Sequence, residues 1–311
     1  MSRFRNRVNV YGRRALRSMT SRALRRPVLF LHLPKCGGTA LAEGMYGTVG
    51  LQNRIGVIDA VSTRRAAALL HADRNDPLLC HEDLPLGDHT FALREALALT
   101  HLNWTTRMIH GHLLATPRLL AAVGPDWALM TMLREPRARA LSNYRMAVRA
   151  GVIEDDLDAW LSGAVGQSMA QVYLRYFSGR NVIPEEERQR ALEQAECHMS
   201  RFELIGFLDD PQGFQRACAD VLGVRPHFPR RNTGDRLALR LTPRQEQTLD
   251  SLLAPDRYLY DVARQYAAGM QKTVQRKGVI RRVGRGSGTG AGAPGPMIPS
   301  QAPAAGGPAP G

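Results

Sequence analysis

No apolar run in this 311-residue chain approaches the ~18 residues that a bilayer-spanning helix needs. No apolar h-region follows the basic N-terminus, so a secretory signal is not read either. Cysteine is scarce. Cys36, Cys80, Cys197 and Cys218 show neither CxxC pairing nor metal-ligand spacing. That pattern argues against a disulfide framework and a metal site, and predicts reduced thiols in a cytoplasmic protein. Acid is missing from both ends. Residues 1–26 hold nine Arg and residues 271–311 hold six Lys or Arg, with no Asp or Glu in either. Setting these aside from the net charge of +14 leaves the intervening chain at about −1. The basic excess belongs to the tails, so the overall charge does not make a case for specific nucleic-acid binding.

Composition divides the chain in three. Residues 1–26 read as a flexible basic segment. Leu16, Met19 and Ala23 share a weak helical face with Arg13, Arg17 and Arg22 nearby. Such a segment can rest weakly on an anionic surface, here the inner membrane face. Residues 27–270 are long enough to bury a sizeable core as one domain. Residues 271–311 are basic, then rich in Gly, Ala, Pro and Ser. They hold too few large apolar side chains to offset ordering entropy, and disorder is predicted.

Within the middle part, four apolar runs read as buried strands: Val28 to Leu33, a short one ending at Met108-Ile109, Trp127 to Leu133, and Phe202 to Leu208. Helical composition covers Ala40 to Met45, Thr63 to His71, Thr90 to Leu99, Arg137 to Arg149, Pro211 to Leu222, Thr242 to Leu253 and Arg257 to Ala267. The alternation predicts an α/β fold. Region 50–105 reads as helices and polar loops. Its Cys80-His81-Glu82-Asp83 run is read as structural, because adjacent residues rarely converge on one ion.

Three strand ends carry chemistry. After the first strand, Pro34 turns the chain and Lys35, Cys36, Gly37, Gly38 and Thr39 lead into a helix. Strand, glycine turn with a lysine, then helix is a recipe for holding a phosphate: amides turn toward the anion, the helix start adds positive dipole, and Lys35 adds a full charge. The lysine precedes the glycines, so a Walker-type loop is absent. At the second strand end His110 and His112 flank Gly111, where functional groups gather in open α/β sheets. At the third, Arg134 and Ser142 are placed so that a strand-to-helix connection can bring both to one anion, a guanidinium fork and a hydroxyl donor.

HLPKCGGTA resembles the 5′-phosphosulfate loop of sulfotransferases that use 3′-phosphoadenosine 5′-phosphosulfate (PAPS). More narrowly, it is similar to the carbohydrate branch related to the heparan sulfate 2-O-sulfotransferases, in a bacterial-type form. LREPRARALSNYR resembles the same family's 3′-phosphate motif at Arg134, Pro136, Arg139, Ser142 and Tyr144. Cys36, Ala40 and Glu135 depart from the usual Thr, Ser and Asp. The resemblance covers roughly residues 27 to 267 and implies a central parallel sheet flanked by helices, the P-loop-like sulfotransferase fold.

It also implies roles. Lys35, Cys36, Gly37, Gly38, Thr39 and Ala40 would hold the 5′-phosphosulfate. Arg134 and Ser142 would hold the 3′-phosphate, with Arg231 of a late basic loop reaching it as well. His112 would be the general base and His110 its positioning partner. Lys35 would neutralise charge on the departing 3′,5′-adenosine diphosphate. PAPS is the co-substrate, no metal is required, and the acceptor is a hydroxyl, expected on a carbohydrate. QVYLRYFSG, Gln171 to Gly179, is a loose match to a nucleotide-side segment, with Tyr173 where Gln is usual and Arg175 as its basic residue. A thiol at Cys36 beside Lys35 is a candidate for a lowered pKa and oxidative control, although a tolerated Thr replacement is the simpler reading. Two other readings stand beside this one: an ATP-dependent phosphotransferase using the same loop, and a non-catalytic anion-binding protein.

Overall fold

The computed structural model describes residues 2–19, 24–226, 228 and 239–283. Five strands, β1 (Val28–Leu31), β2 (Arg54–Ile58), β3 (Thr106–Gly111), β4 (Ala128–Leu133) and β5 (Leu204–Phe207), form one all-parallel sheet in the order β2-β3-β1-β4-β5. The fold is therefore α/β with a central parallel sheet. β1 and β4 are buried at every position, as continuous apolar runs in a doubly covered sheet should be.

The helices are α1 (Ser2–Met19), α2 (Gly38–Tyr46), α3 (Ala60–Ala72), α4 (Gly87–His101), α5 (Pro117–Val123), α6 (Pro136–Arg149), α7 (Leu157–Ser162), α8 (Ala164–Ala170), α9 (Val172–Ser178), α10 (Arg188–Met199), α11 (Pro211–Leu222), α12 (Pro243–Leu252) and α13 (Ala254–Val283). The segment predicted as flexible forms α1 over residues 2–19. The last helix runs well past Ala267, so residues 271–283 of the predicted disordered tail are helical. The rest of that tail lies outside the described residues. Met1–Lys272 is one compact unit and Thr273–Gly311 a second. No helix among the described residues is long and apolar enough to cross a membrane.

Two cores sandwich the sheet. Leu29, Leu31, Ile109, Leu133 and Phe207 meet α4, α5, α9, α10 and α13 on one face. Val28, Phe30, Met108, Met130 and Leu204 meet α2 and α11 on the other. A third cluster joins α6, α7, α8 and α12 through Tyr144, Trp160, Met169 and Leu249.

Strand β2 was not read from the sequence. It is an edge strand of alternating burial that opens on Arg54 and contains Gly56, so it lacks the apolar run that marks β1 and β4. Helix α5 was missed as well, being only two turns long. Its start is nonetheless orthodox: the Thr116 side chain accepts from Leu119 N, and Pro117 fills the first turn.

Burial also settles three arginines. Arg139 is fully buried and faces Asp256 at 3.3 Å, while donating to the carbonyls of Met169 and Ala170. The same carboxylate accepts from the amides of Tyr173 and Leu174 at 2.9 and 3.0 Å. Arg175 pairs with Asp83 at 2.6 Å and donates to Asn181 O. Arg94 pairs with Glu82, so the run at 80–83 anchors cations. Arg139 and Arg175 are thus scaffold rather than nucleotide ligands.

Replacing Asp256 with Ala strands the Arg139 charge and orphans two buried amides. Broken buried pairs cost about 3–5 kcal/mol, so a urea titration of Asp256→Ala should show a loss of that size. A loss under about 1 kcal/mol, the scale of a surface change, would show that the network is not structural.

Candidate anion-binding and histidine site

The strand order puts β1 between β3 and β4. The glycine turn after β1, the histidines at the end of β3 and the arginine after β4 are therefore neighbours at one end of the sheet. This is also where the order switches direction, the usual place for a crevice in an open α/β sheet.

The turn after β1 is held in an uncommon backbone conformation. Lys35 has φ 63° and Gly37 φ 76°. A left-handed non-glycine residue costs on the order of 1–2 kcal/mol, and such strain gathers at functional sites. No side chain caps the start of α2, which leaves its first-turn amides for other acceptors. Gly38 has a steric cause of its own: a Cβ there would sit 2.0 Å from the His32 ring.

Arg134 meets this turn directly. Its Nη1 donates to Lys35 O at 3.4 Å. Lys35 Nζ approaches Met146 Sδ at 3.4 Å. Met146 lies one turn after Ser142 and one turn before Arg149, so this stripe of α6 borders Lys35. Burial, then Arg134 and Arg149, push the Lys35 ammonium below the usual lysine range. Among the described residues no carboxylate pairs with Lys35 or Arg134. The structure thus brings Lys35, Gly37, Gly38, Thr39, Ala40 and Arg134 to one locality, with Ser142 one helical turn before the Met146 that meets Lys35. Arg231 lies outside the described residues.

The residue that sets this arrangement was missed from the sequence. Tyr173, fully buried in α9, receives the Arg134 amide on its hydroxyl at 2.9 Å and donates back to Arg134 O. The same hydroxyl stands 3.5 Å from Cys36 Sγ. One phenol therefore joins the two turns. Nothing local in the sequence announces this, because the partners are 137 and 39 residues away. Cys36 itself is fully buried, and burial pushes its thiol up to about 11. The activated, oxidisable Cys36 considered from its neighbours is corrected: its side chain packs in the core beneath the loop, and only its backbone can face an anion.

The histidines form a stack. His32 lies against His112 at 4.3 Å and against His110 at 5.0 Å between ring centroids. His110 Nε2 is 3.1 Å from His32 Nδ1, and His110 Nδ1 is 2.9 Å from the Tyr46 hydroxyl. Both nitrogens of His110 are thus engaged. Nδ1 of His112 is buried and without a hydrogen-bond partner. Burial pulls all three imidazoles down, His32 to about 4 and the others well below the usual histidine range. They are neutral at physiological pH. His32 and Tyr46 had no role assigned from the sequence, though His32 sits inside the HLPKCGGTA motif.

A scan against protein-family models finds none that matches this chain, and a search of curated proteins finds no match.

Tyr173→Phe removes the acceptor of a buried amide and the partner of a buried carbonyl. A loss of about 1–3 kcal/mol is expected by denaturant titration, and wild-type stability would show that the phenol does not join the turns. The histidines give a pH signature. Unfolded His32 titrates near 6.5 while folded His32 titrates near 4, so the unfolded chain binds the extra proton. Stability should be level above pH 6.5 and fall as the pH drops from 6.5 toward 4. His32→Asn should flatten that fall, measured as urea midpoints across the interval.

Proposed function

We propose that the chain is a PAPS-dependent sulfotransferase of P-loop-like fold that moves the sulfuryl group to an acceptor hydroxyl, on a carbohydrate by the family resemblance. The observation that carries this reading is the meeting of Lys35 and Arg134 at adjacent strand ends, with no carboxylate paired to either among the described residues. Two motifs about a hundred residues apart in sequence converge on one locality, as a nucleotide with phosphates at both ends of its ribose requires. The parallel sheet with β1 between β3 and β4 supports the same reading. The free thiols fit a reducing, cytoplasmic setting.

The residues fit the donor. The Gly37 and Gly38 backbone and Thr39 hold the 5′-phosphate at the α2 start. Arg134 and Ser142 hold the 3′-phosphate. The acceptor oxygen attacks sulfur and forms the new S–O bond. The bond from sulfur to the bridging phosphate oxygen breaks, and 3′,5′-adenosine diphosphate leaves with the electron pair, its charge met by Lys35. The acceptor proton goes to His112, which burial keeps neutral and so able to accept, at the cost of a lower basicity than a free imidazole.

Calorimetry with 3′,5′-adenosine diphosphate, ADP and AMP tests the donor. The doubly phosphorylated ribose should bind best, and Arg134→Ala should erase the preference. Equal affinity for ADP, or transfer from ATP that needs magnesium, points to the phosphotransferase and sinks this reading. Lys35→Ala should slow sulfuryl transfer by a few hundredfold, the loss of a single transition-state donor at about 3–4 kcal/mol.

A further inference from the structure

Helix α1 is amphipathic in the reverse sense. Arg14 is tied to the protein, donating to the carbonyls of Val49, Gly50 and Asn53 at 3.1, 3.3 and 2.9 Å, while Arg13 stays exposed. The stem of Arg13 lies along Gly47, 3.1 Å from where a Cβ would stand. Its apolar residues turn outward, with Val8, Tyr11 and Met19 54%, 58% and 85% exposed. At about 100° per residue these three share an arc of roughly 80°, opposite the Arg13–Arg14 direction. A helix on a water-exposed surface shows the opposite arrangement.

A second exposed group lies at the same end of the sheet. Trp104 is 92% exposed. It immediately precedes Thr105, whose carbonyl accepts from Arg54 N at 2.8 Å, beside the Asn53 that receives Arg14. An indole this open is costly in water and favoured at a lipid headgroup layer.

We propose that α1, with Trp104 beside it, docks the protein on an anionic bilayer surface. Charge selects the occupant. Residues 1–26 contain nine Arg and no acid. A second copy would set two acid-free arginine helices face to face, which repel. A nucleic acid would neutralise the arginines but leave Val8, Tyr11 and Met19 in water. Anionic lipid fits both features, its negative surface drawing the acid-free segment with its exposed Arg13 and the acyl boundary taking the apolar stripe. Helix α1 meets residues 47–53 beside the start of β2, the end of the sheet opposite to the strand ends that bear Lys35 and Arg134. The inference is independent of the sulfotransferase reading.

The test is co-sedimentation of the full chain with vesicles of phosphatidylcholine alone and of phosphatidylcholine mixed with phosphatidylglycerol. The chain should pellet with the mixed vesicles, bind them at least about tenfold more tightly than the neutral ones, and weaken as salt rises. Replacing Val8, Tyr11 and Met19 together by Ser should reduce partitioning about tenfold or more with an unchanged thermal melt. Trp fluorescence should shift to the blue on vesicle addition, and Trp104→Phe should remove the shift. Three results overturn the proposal. One is equal pelleting with both vesicle types. Another is a triple variant that partitions like the wild type, leaving only charge attraction. The last is a dimer in sedimentation equilibrium that the triple variant abolishes while vesicles pellet nothing, which assigns the face to a second copy.

Discussion

One buried hydroxyl decides where two cations stand. The Tyr173 phenol touches Cys36 beneath the glycine turn and both backbone groups of Arg134, while its own amide is held by Asp256. Asp256 in turn faces Arg139 of α6. The chain of contacts runs from the end of β1 to the end of β4, through α9, to α6 and α13. In a low-dielectric interior a satisfied network of this kind rigidifies, and each unsatisfied member is expensive. The network fixes the two turns against the repulsion of the charges they carry. Burial first, and then the charges of Arg134 and Arg149, hold the Lys35 ammonium below its usual range, and strain is visible in its left-handed backbone.

The adjoining strand end is electrically different. His32, His110 and His112 are held neutral by burial, and a proton on His110 or His112 is disfavoured further by the neighbouring imidazoles. If the Tyr46 hydroxyl donates to His110 Nδ1, His110 Nε2–H donates to His32 Nδ1, and His32 then carries its proton on Nε2, against Gly38. A single phenol proton sets two tautomers in succession. His112 stays outside that chain, with Nδ1 uncommitted. In the transfer reaction proposed above, a cation-rich turn beside a neutral imidazole would divide the work, charge neutralisation on one side and proton acceptance on the other.

How much of this was legible depends on how far apart in sequence the causes lie. β1 and β4 declare themselves because a doubly buried strand must be apolar at every position. The Lys35 turn and the Arg134 helix start are equally local, since a few consecutive residues fix the backbone that presents them. β2 stayed hidden because an edge strand with one open face needs only alternate apolar residues, and Gly56 breaks even that pattern. Tyr173, Asp256 and His32 were illegible for another reason: their meaning lies in partners that only the sheet order brings near. Cys36 shows the opposite error. Its immediate neighbours suggested an activated thiol, but desolvation outweighs the nearby positive charges, so the thiol is driven up instead of down.

Net charge was the least informative property for locating the anion site. The chain between the basic tails is close to neutral, yet it contains a cluster of unopposed cations. The reason is pairing. Glu82 is taken by Arg64 and Arg94, Asp83 by Arg175, Asp256 by Arg139 and Glu246 by Arg137. These four carboxylates are taken by scaffold arginines, several of them buried, where an unpaired charge would be intolerable. Among the described residues Lys35 and Arg134 receive none, because the elements packed around them bring Tyr173, Met146 and backbone instead. An anion site of this kind arises from which cations the fold leaves without a carboxylate. A balanced composition can hold one as well as a basic composition can, provided that its acids are committed elsewhere.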